Sequence, residues 1–329
     1  MNSPSPNLFW SVYKNLEKEF LVLANYIHIS DDQLNIYSMH IADLIIRCSV
    51  EIESLSKELY ASIGGNMAPV DDDGNPRDLY FDTDCLELLE QKWHISKKEI
   101  SVSAINLFLD KAENITLVPL HKSNKRGTSG SKWKQAYQAI KHDRNNSLKK
   151  ATVDNLLHAL GALYILNLYY KSERTDIGRV YLSDHNFDSR AGSDIFSAHI
   201  CHATGLSMSY YMDDSCINPP IGDELDKAIY IIKYDDKSFQ EMHKNFCLDA
   251  QITEKNFNNS PEIKKFLENN PEYKSKSINE VCMAAGGKSL LLRIICFRNT
   301  TQEKNSRMEA MINKHSGIYQ TLTPISEET

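Results

Sequence analysis

One run of this 329-residue chain holds side chains whose types and spacing suit chemistry on a phosphodiester: Trp133, Lys134, Tyr137, Gln138, Lys141, His142, Arg144 and Asn146. On a helix of 3.6 residues per turn, Trp133, Tyr137 and Lys141 share one edge, while Gln138, His142 and Asn145 line the neighbouring one. An imidazole can take or give a proton near neutral pH, and a guanidinium can grip a phosphate through two parallel hydrogen bonds. His142 is therefore the candidate acid or base. Arg144 and Lys141 are the candidate cations beside it for holding the phosphate. Lys132, Trp133, Lys134, Asn146, Lys149 and Lys150 flank them as candidate contacts to a nucleic-acid strand. This chemistry calls for neither a metal nor a cofactor. The plain alternative is a helix-end histidine among solvated cations.

Charge is concentrated in the same place. Residues 1–120 hold 9 basic and 19 acidic residues, 121–150 hold 9 and 1, and 151–329 hold 19 and 24, so a segment of +8 sits inside a chain of −7. Cations at that density neutralise phosphates and release counterions, which is a footprint for a polyanion; a solvated basic loop would show the same count. The remaining composition, 41% hydrophobic and 25% charged with 13 Gly and 10 Pro, excludes collagenous and wholly disordered classes. Leu156 to Tyr170, the longest apolar stretch, contains His158 and Asn167 and falls short of the roughly 20 residues a spanning helix needs, so no membrane association is expected. The start, Met-Asn-Ser-Pro-Ser-Pro, has neither the basic nor the apolar run of a secretory signal, and a cytoplasmic location is expected. Seven cysteines without a CxxC pair read as reduced, mostly buried thiols.

The elements that must position the basic run are mostly helical. Leu8, Val12, Leu16, Phe20, Leu23 and Ile27 predict a helix over 7–28, and Ile41, Leu44, Ile45, Cys48, Ile52, Leu55 and Leu59 predict a second over 36–62, antiparallel to the first. Residues 66–77 read as an acidic surface loop, 84–94 as a short helix, and 100–108 with 115–120 as a short strand pair. A Gly-Ser-rich loop at 127–131 leads into a helix from Lys132 to about Leu148, followed by an apolar helix over 151–170. The fold class is thus mainly α: an antiparallel helical bundle with a short β insertion over 1–172, then a smaller α/β region of unassigned role over 173–298, then a polar helix or tail over 299–329. In the α/β region, strands are expected at 179–182, 228–234 and 290–297, with helices at 236–248 and 261–269.

At Trp133, Tyr137, Gln138, Lys141, His142 and Arg144 the sequence resembles the HEPN superfamily, in particular bacterial abortive-infection and phage-defence relatives with a Trp-x-x-x-Tyr-Asn-x-x-Lys-His-x-Arg helix. The run from Ser49 to Lys57, the Val118-Pro119-Leu120 element and the apolar helix after the motif occur in the same order, so the resemblance spans roughly residues 8–172. It implies a helical bundle whose homodimer builds one cleft from two motifs. It also implies a metal-independent endoribonuclease, in which the ribose 2′-hydroxyl attacks the adjacent phosphorus and leaves a 2′,3′-cyclic phosphate. RNA is then the partner, with tRNA among the substrates to test, in an antiphage defence or toxin system whose C-terminal region meets a partner protein or a phage trigger. Glu51 or Glu53 on the facing helix would fix the imidazole tautomer, with Lys57 as a further supporting group, although Glu53 and Lys57 also suit a simple surface ion pair. The usual motif places Arg five residues before His. Here Tyr137 stands there and Gln138 takes the polar position that follows. Arg144 would replace the missing cation, but on a regular helix it projects about 200° from His142, so it requires an irregular helix end or service in the partner's site. The alternative is a non-catalytic HEPN-like module for dimerisation, RNA binding or regulation.

Two other clusters read as structural. Residues 284–289 end like a phosphate loop, but Cys282 occupies the place of its first glycine, so a tight turn into a strand is expected. His199, Cys201 and His202 lack an evident fourth metal ligand.

Overall fold

In the computed structural model of the chain, residues 7–179, 187–202, 223–298 and 306–315 are described. Apolar residues at helical spacing form α1 (Leu8–Ala24); a two-residue strand, β1 (Ile29–Ser30), precedes α2 (Met39–Ser62). Next come α3 (Glu87–Trp93), β2 (Ile100–Val102), β3 (Leu107–Phe108), α4 (Ala112–Ile115) and β4 (Thr116–Leu117). The motif region holds α5 (Lys132–His142) and α6 (Arg144–Ser147), and α7 (Val153–Lys171) follows. Side chains outside the helices fix where they start: Asn7 accepts from the Trp10 amide, Ser38 from Ile41 and Thr152 from Asn155. Beyond residue 172 lie β5 (Thr175–Arg179), β6 (Phe196–Ala198), β7 (Ile200–His202), α8 (Asp223–Lys227), β8 (Tyr230–Tyr234), α9 (Asp236–Asn259), α10 (Pro261–Asn269), α11 (Ile278–Ile294) and β9 (Arg307–Ile312). The chain is mainly helical, and no described helix is long and apolar enough to cross a membrane.

The helix α7 organises the core. Fourteen of its residues are buried, so it needs cover on every side. Against it stand α1, α2, α5 and β6, and its buried cluster takes in a four-stranded sheet in the order β5-β9-β8-β7, with the β7/β8 pair parallel and the rest antiparallel. The expected strand pair near 100–120 forms as β2 and β4, with Ile100 opposite Leu117, and gains β6 from beyond residue 172, with Ile100 also opposite Ala198. One buried cluster thus runs from Tyr13 through Tyr164 to Ile232 and Ile312. Polar contacts cross the same line. The fully buried Glu17 carboxylate accepts from Tyr13 Oη at 2.8 Å, from the Asp194 amide at 2.9 Å and from Ser193 Oγ, and Tyr169 Oη donates to the Asn313 carbonyl at 2.8 Å. The helices α9, α10 and α11 keep a smaller cluster of their own around Ile263, Val281 and Leu291.

Four expectations need correction. The polar tail expected over 299–329 contains β9, an interior strand whose alternating Met308, Ala310 and Ile312 face the core; residues 299–305 and 316–329 lie outside the described ones. Of the strand expected at 290–297, residues 290–294 are the end of α11, where Leu290, Leu291 and Ile294 pack on the helix α10, and residues 295–297 follow the helix without forming a strand. The turn expected at 284–289 lies inside α11 as a kink at Gly287, whose φ of 66° suits a residue without a side chain. The strand expected at 179–182 starts earlier, at Thr175, and its residues from 180 on are outside the described ones.

Candidate functional site

The site is built on α5. Its apolar stripe of Trp133, Ala136, Tyr137 and Ile140, at i, i+3, i+4 and i+7, turns toward the core. Trp133 spends its indole N–H on the Pro119 carbonyl at 2.8 Å, and Tyr137 is 3% exposed. Lys134 is buried as well: its ammonium donates to Ser123 O at 2.8 Å, to Asp82 Oδ2 at 3.1 Å and to Lys125 O. Trp133 and Lys134 are therefore internal supports and not strand contacts, and Tyr137 presents no face to a phosphate. The edge left to solvent carries Lys132, Gln138, Lys141 and His142, with the Lys141 ammonium 5.5 Å from the centre of the Tyr137 ring.

The helix breaks immediately after His142. Asp143 leaves helical geometry at φ −148° and ψ 74°, and its carboxylate caps the next turn through the Asn146 amide at 3.3 Å and Asn146 Nδ2 at 2.8 Å. Asn146 is thus committed to the turn. The break supplies the irregular helix end that Arg144 required, yet Arg144 donates to Asp43 Oδ1 on α2 at 3.0 Å. His142 is exposed, and among the described residues it makes no hydrogen bond or ion pair. Neither Glu51 nor Glu53 holds its imidazole, and Glu53 and Lys57 form no ion pair among the described residues.

A cleft of about 570 Å³ opens beside the exposed edge, lined by Glu53, Tyr80, Asp82, Arg126, Gln138 and Lys150 among others. Asp82 sits on a π-helical turn, Phe81–Leu86, that precedes α3. It binds Lys134 and, at 3.1 Å, the Arg126 guanidinium, which lies 3.8 Å over the Tyr80 ring. Burial pulls the Lys134 ammonium below its ordinary pKa, with Asp82 offsetting part of the drop. Burial also acts to raise Asp82, but the Thr83 amide and the two cations hold its carboxylate below the usual range. The glycine loop closes tightly here: a Cβ on Gly130 would lie 2.8 Å from the Lys125 carbonyl and 3.1 Å from Lys134 Cε. Asp82, Tyr80 and Arg126 were not legible as site residues, because nothing in the local sequence links a basic loop to an acid 44 positions earlier.

The basic segment is partly neutralised. Lys125 pairs with Glu87 at 3.6 Å, Arg126 and Lys134 with Asp82, and Arg144 with Asp43. Lys122, Lys132, Lys141, Lys149 and Lys150 are exposed and have no ion-pair partner among the described residues. On another face, His94, Asp226 and His315 bring three donor atoms within 4.8 Å of one another, the one such group among the described residues. His199 instead meets Glu224 at 3.3 Å. Compared with family models, with curated proteins and with solved structures, the chain shows no match.

Proposed function

We propose that the chain is an endoribonuclease that cuts RNA without a metal and works as a homodimer, with His142 as its acid or base. The observation that carries this reading is the uncommitted imidazole at an abrupt helix end, next to Lys141 and among exposed lysines. The reaction asks for two proton transfers. The 2′-hydroxyl gives up its proton as its oxygen attacks phosphorus, and the departing 5′-oxygen takes one up, leaving a 2′,3′-cyclic phosphate and a 5′-hydroxyl. One imidazole serves one transfer at a time, so a second His142 from the partner protomer supplies the other role. Lys141, with Lys149 and Lys150, would offset charge on the phosphorane, and Gln138 would orient the strand. In a cell this activity suits an antiphage defence or toxin protein, with the region beyond residue 172 receiving the trigger.

Burial of Trp133, Lys134 and Tyr137 favours a second reading, in which the motif is scaffold and the surface binds RNA or a second copy without cutting. Wild-type protein and His142→Ala, both checked for folding by circular dichroism in EDTA, separate the two on total RNA and tRNA. The nuclease reading expects cyclic-phosphate ends from the wild type and a loss of about 100-fold or more in the variant. RNA binding with no cleavage by either protein would leave the binding module.

A further inference from the structure

We propose that His94, Asp226 and His315 form a binding site for a divalent metal of borderline softness, with zinc the best fit and a fourth position open to solvent. This inference is independent of the nuclease reading. The donor set is two imidazole nitrogens and one carboxylate oxygen, which suits zinc and disfavours magnesium or calcium, whose sites are built mainly from oxygen. His94 Nδ1 lies 2.8 Å and His315 Nε2 3.6 Å from Asp226 Oδ1. Tetrahedral zinc with bonds near 2.0–2.1 Å spaces its ligands by about 3.3 Å, so small side-chain rotations admit the ion.

Each ligand is already held in place by backbone contacts. His94 ends α3 in the left-handed conformation, with its amide on the Glu90 carbonyl at 2.9 Å. Asp226 belongs to α8, and its carbonyl and that of Ala228, just past the helix, accept from the buried Lys98 ammonium at 2.8 and 3.0 Å. His315 follows the fully buried Asn313, whose side chain binds Leu225 O and Ala228 O at 2.7 and 2.9 Å and accepts from the His315 amide at 3.1 Å. The two imidazoles stack with centroids 4.3 Å apart, both edges turned to the same carboxylate. The neighbouring cations limit the affinity. Lys98 Nζ lies 3.1 Å from His315 Nε2, and Lys97 holds the second Asp226 oxygen at 2.6 Å, so an incoming ion must displace the first contact and tolerate the second.

The test uses full-length protein stripped by chelator and dialysed, then titrated with zinc and, in parallel, with magnesium and calcium. The expected result is one zinc per chain with a raised Tm, no response to the harder ions, and a cobalt(II) spectrum without a thiolate charge-transfer band. His94→Asn, which keeps a residue tolerant of the left-handed backbone, and His315→Ala should each weaken zinc binding at least 10-fold while keeping the far-UV circular dichroism of the wild type. Should His315→Ala fail to fold, His94→Asn decides alone, since that ring is 42% exposed. Absence of zinc binding by the wild type, binding untouched by His94→Asn, or a thiolate band would each overturn the proposal.

Discussion

Lys134 shows how a charged side chain can serve structure inside a segment that reads as a surface. Its ammonium joins the π-helical turn, the loop at 123–125 and α5, and the three acceptors have no other cation so deeply placed. Replacing it by Met would leave Asp82 and two carbonyls short of a partner. Removing one member of a buried pair costs about 3 kcal/mol or more, so Lys134→Met should lower unfolding stability in urea by that amount, while Lys132→Met, on the exposed edge, should change it by less than about 0.5 kcal/mol. Equal effects at the two positions would contradict the assignment. Part of this was legible. The i, i+3, i+4, i+7 stripe of Trp133, Ala136, Tyr137 and Ile140 marks a core-facing edge, and giving chemistry to Trp133 and Tyr137 set that signal aside. That Lys134 also points inward was not legible, because its partners lie 9 to 52 positions away. His142 was singled out by residue type alone; the break after it was not legible, because the spacing predicts one helix from Lys132 to about Leu148 and the helix ends at His142.

Among the elements, α1, α2 and α7 were legible because their apolar spacing is long and regular. The strand β9 was missed because six residues are too few for periodicity to stand out beside polar neighbours, although Met308, Ala310 and Ile312 do alternate. The chemistry of the sheet depends on that strand: it pairs with β5 on one side and β8 on the other, and with them covers α7. A fragment comprising residues 1–172 would uncover that face of α7, the β2 edge that β6 occupies, and Glu17, which would lose Ser193 and the amides of Asp194 and Ile195. The expected outcome is a fragment with helical far-UV but collapsed near-UV circular dichroism and strong binding of a hydrophobic dye. Sharp, cooperative unfolding of the fragment would show that the first 172 residues form a core of their own.

For the molecule as a whole, the charge count of the chain and the charge of its surface differ. Four of the nine cations in 121–150 are matched by acids from residues 43–87, which leaves five exposed lysines to meet a polyanion. If Lys141, Lys149 and Lys150 each neutralise a phosphate of single-stranded RNA, replacing all three by Gln should make the slope of log K against log salt shallower by about 2 per chain, read by fluorescence anisotropy. An unchanged slope would place RNA elsewhere. The position of β9 has a further consequence during synthesis. The strand lies inside the sheet but is read out after all its neighbours, so a growing chain holds α7 half covered until residues 307–312 have emerged. Long-range pairing of this kind is slow and leaves apolar surface exposed in the meantime. A chain stalled or cleaved before that strand is therefore a natural client for chaperones and proteases.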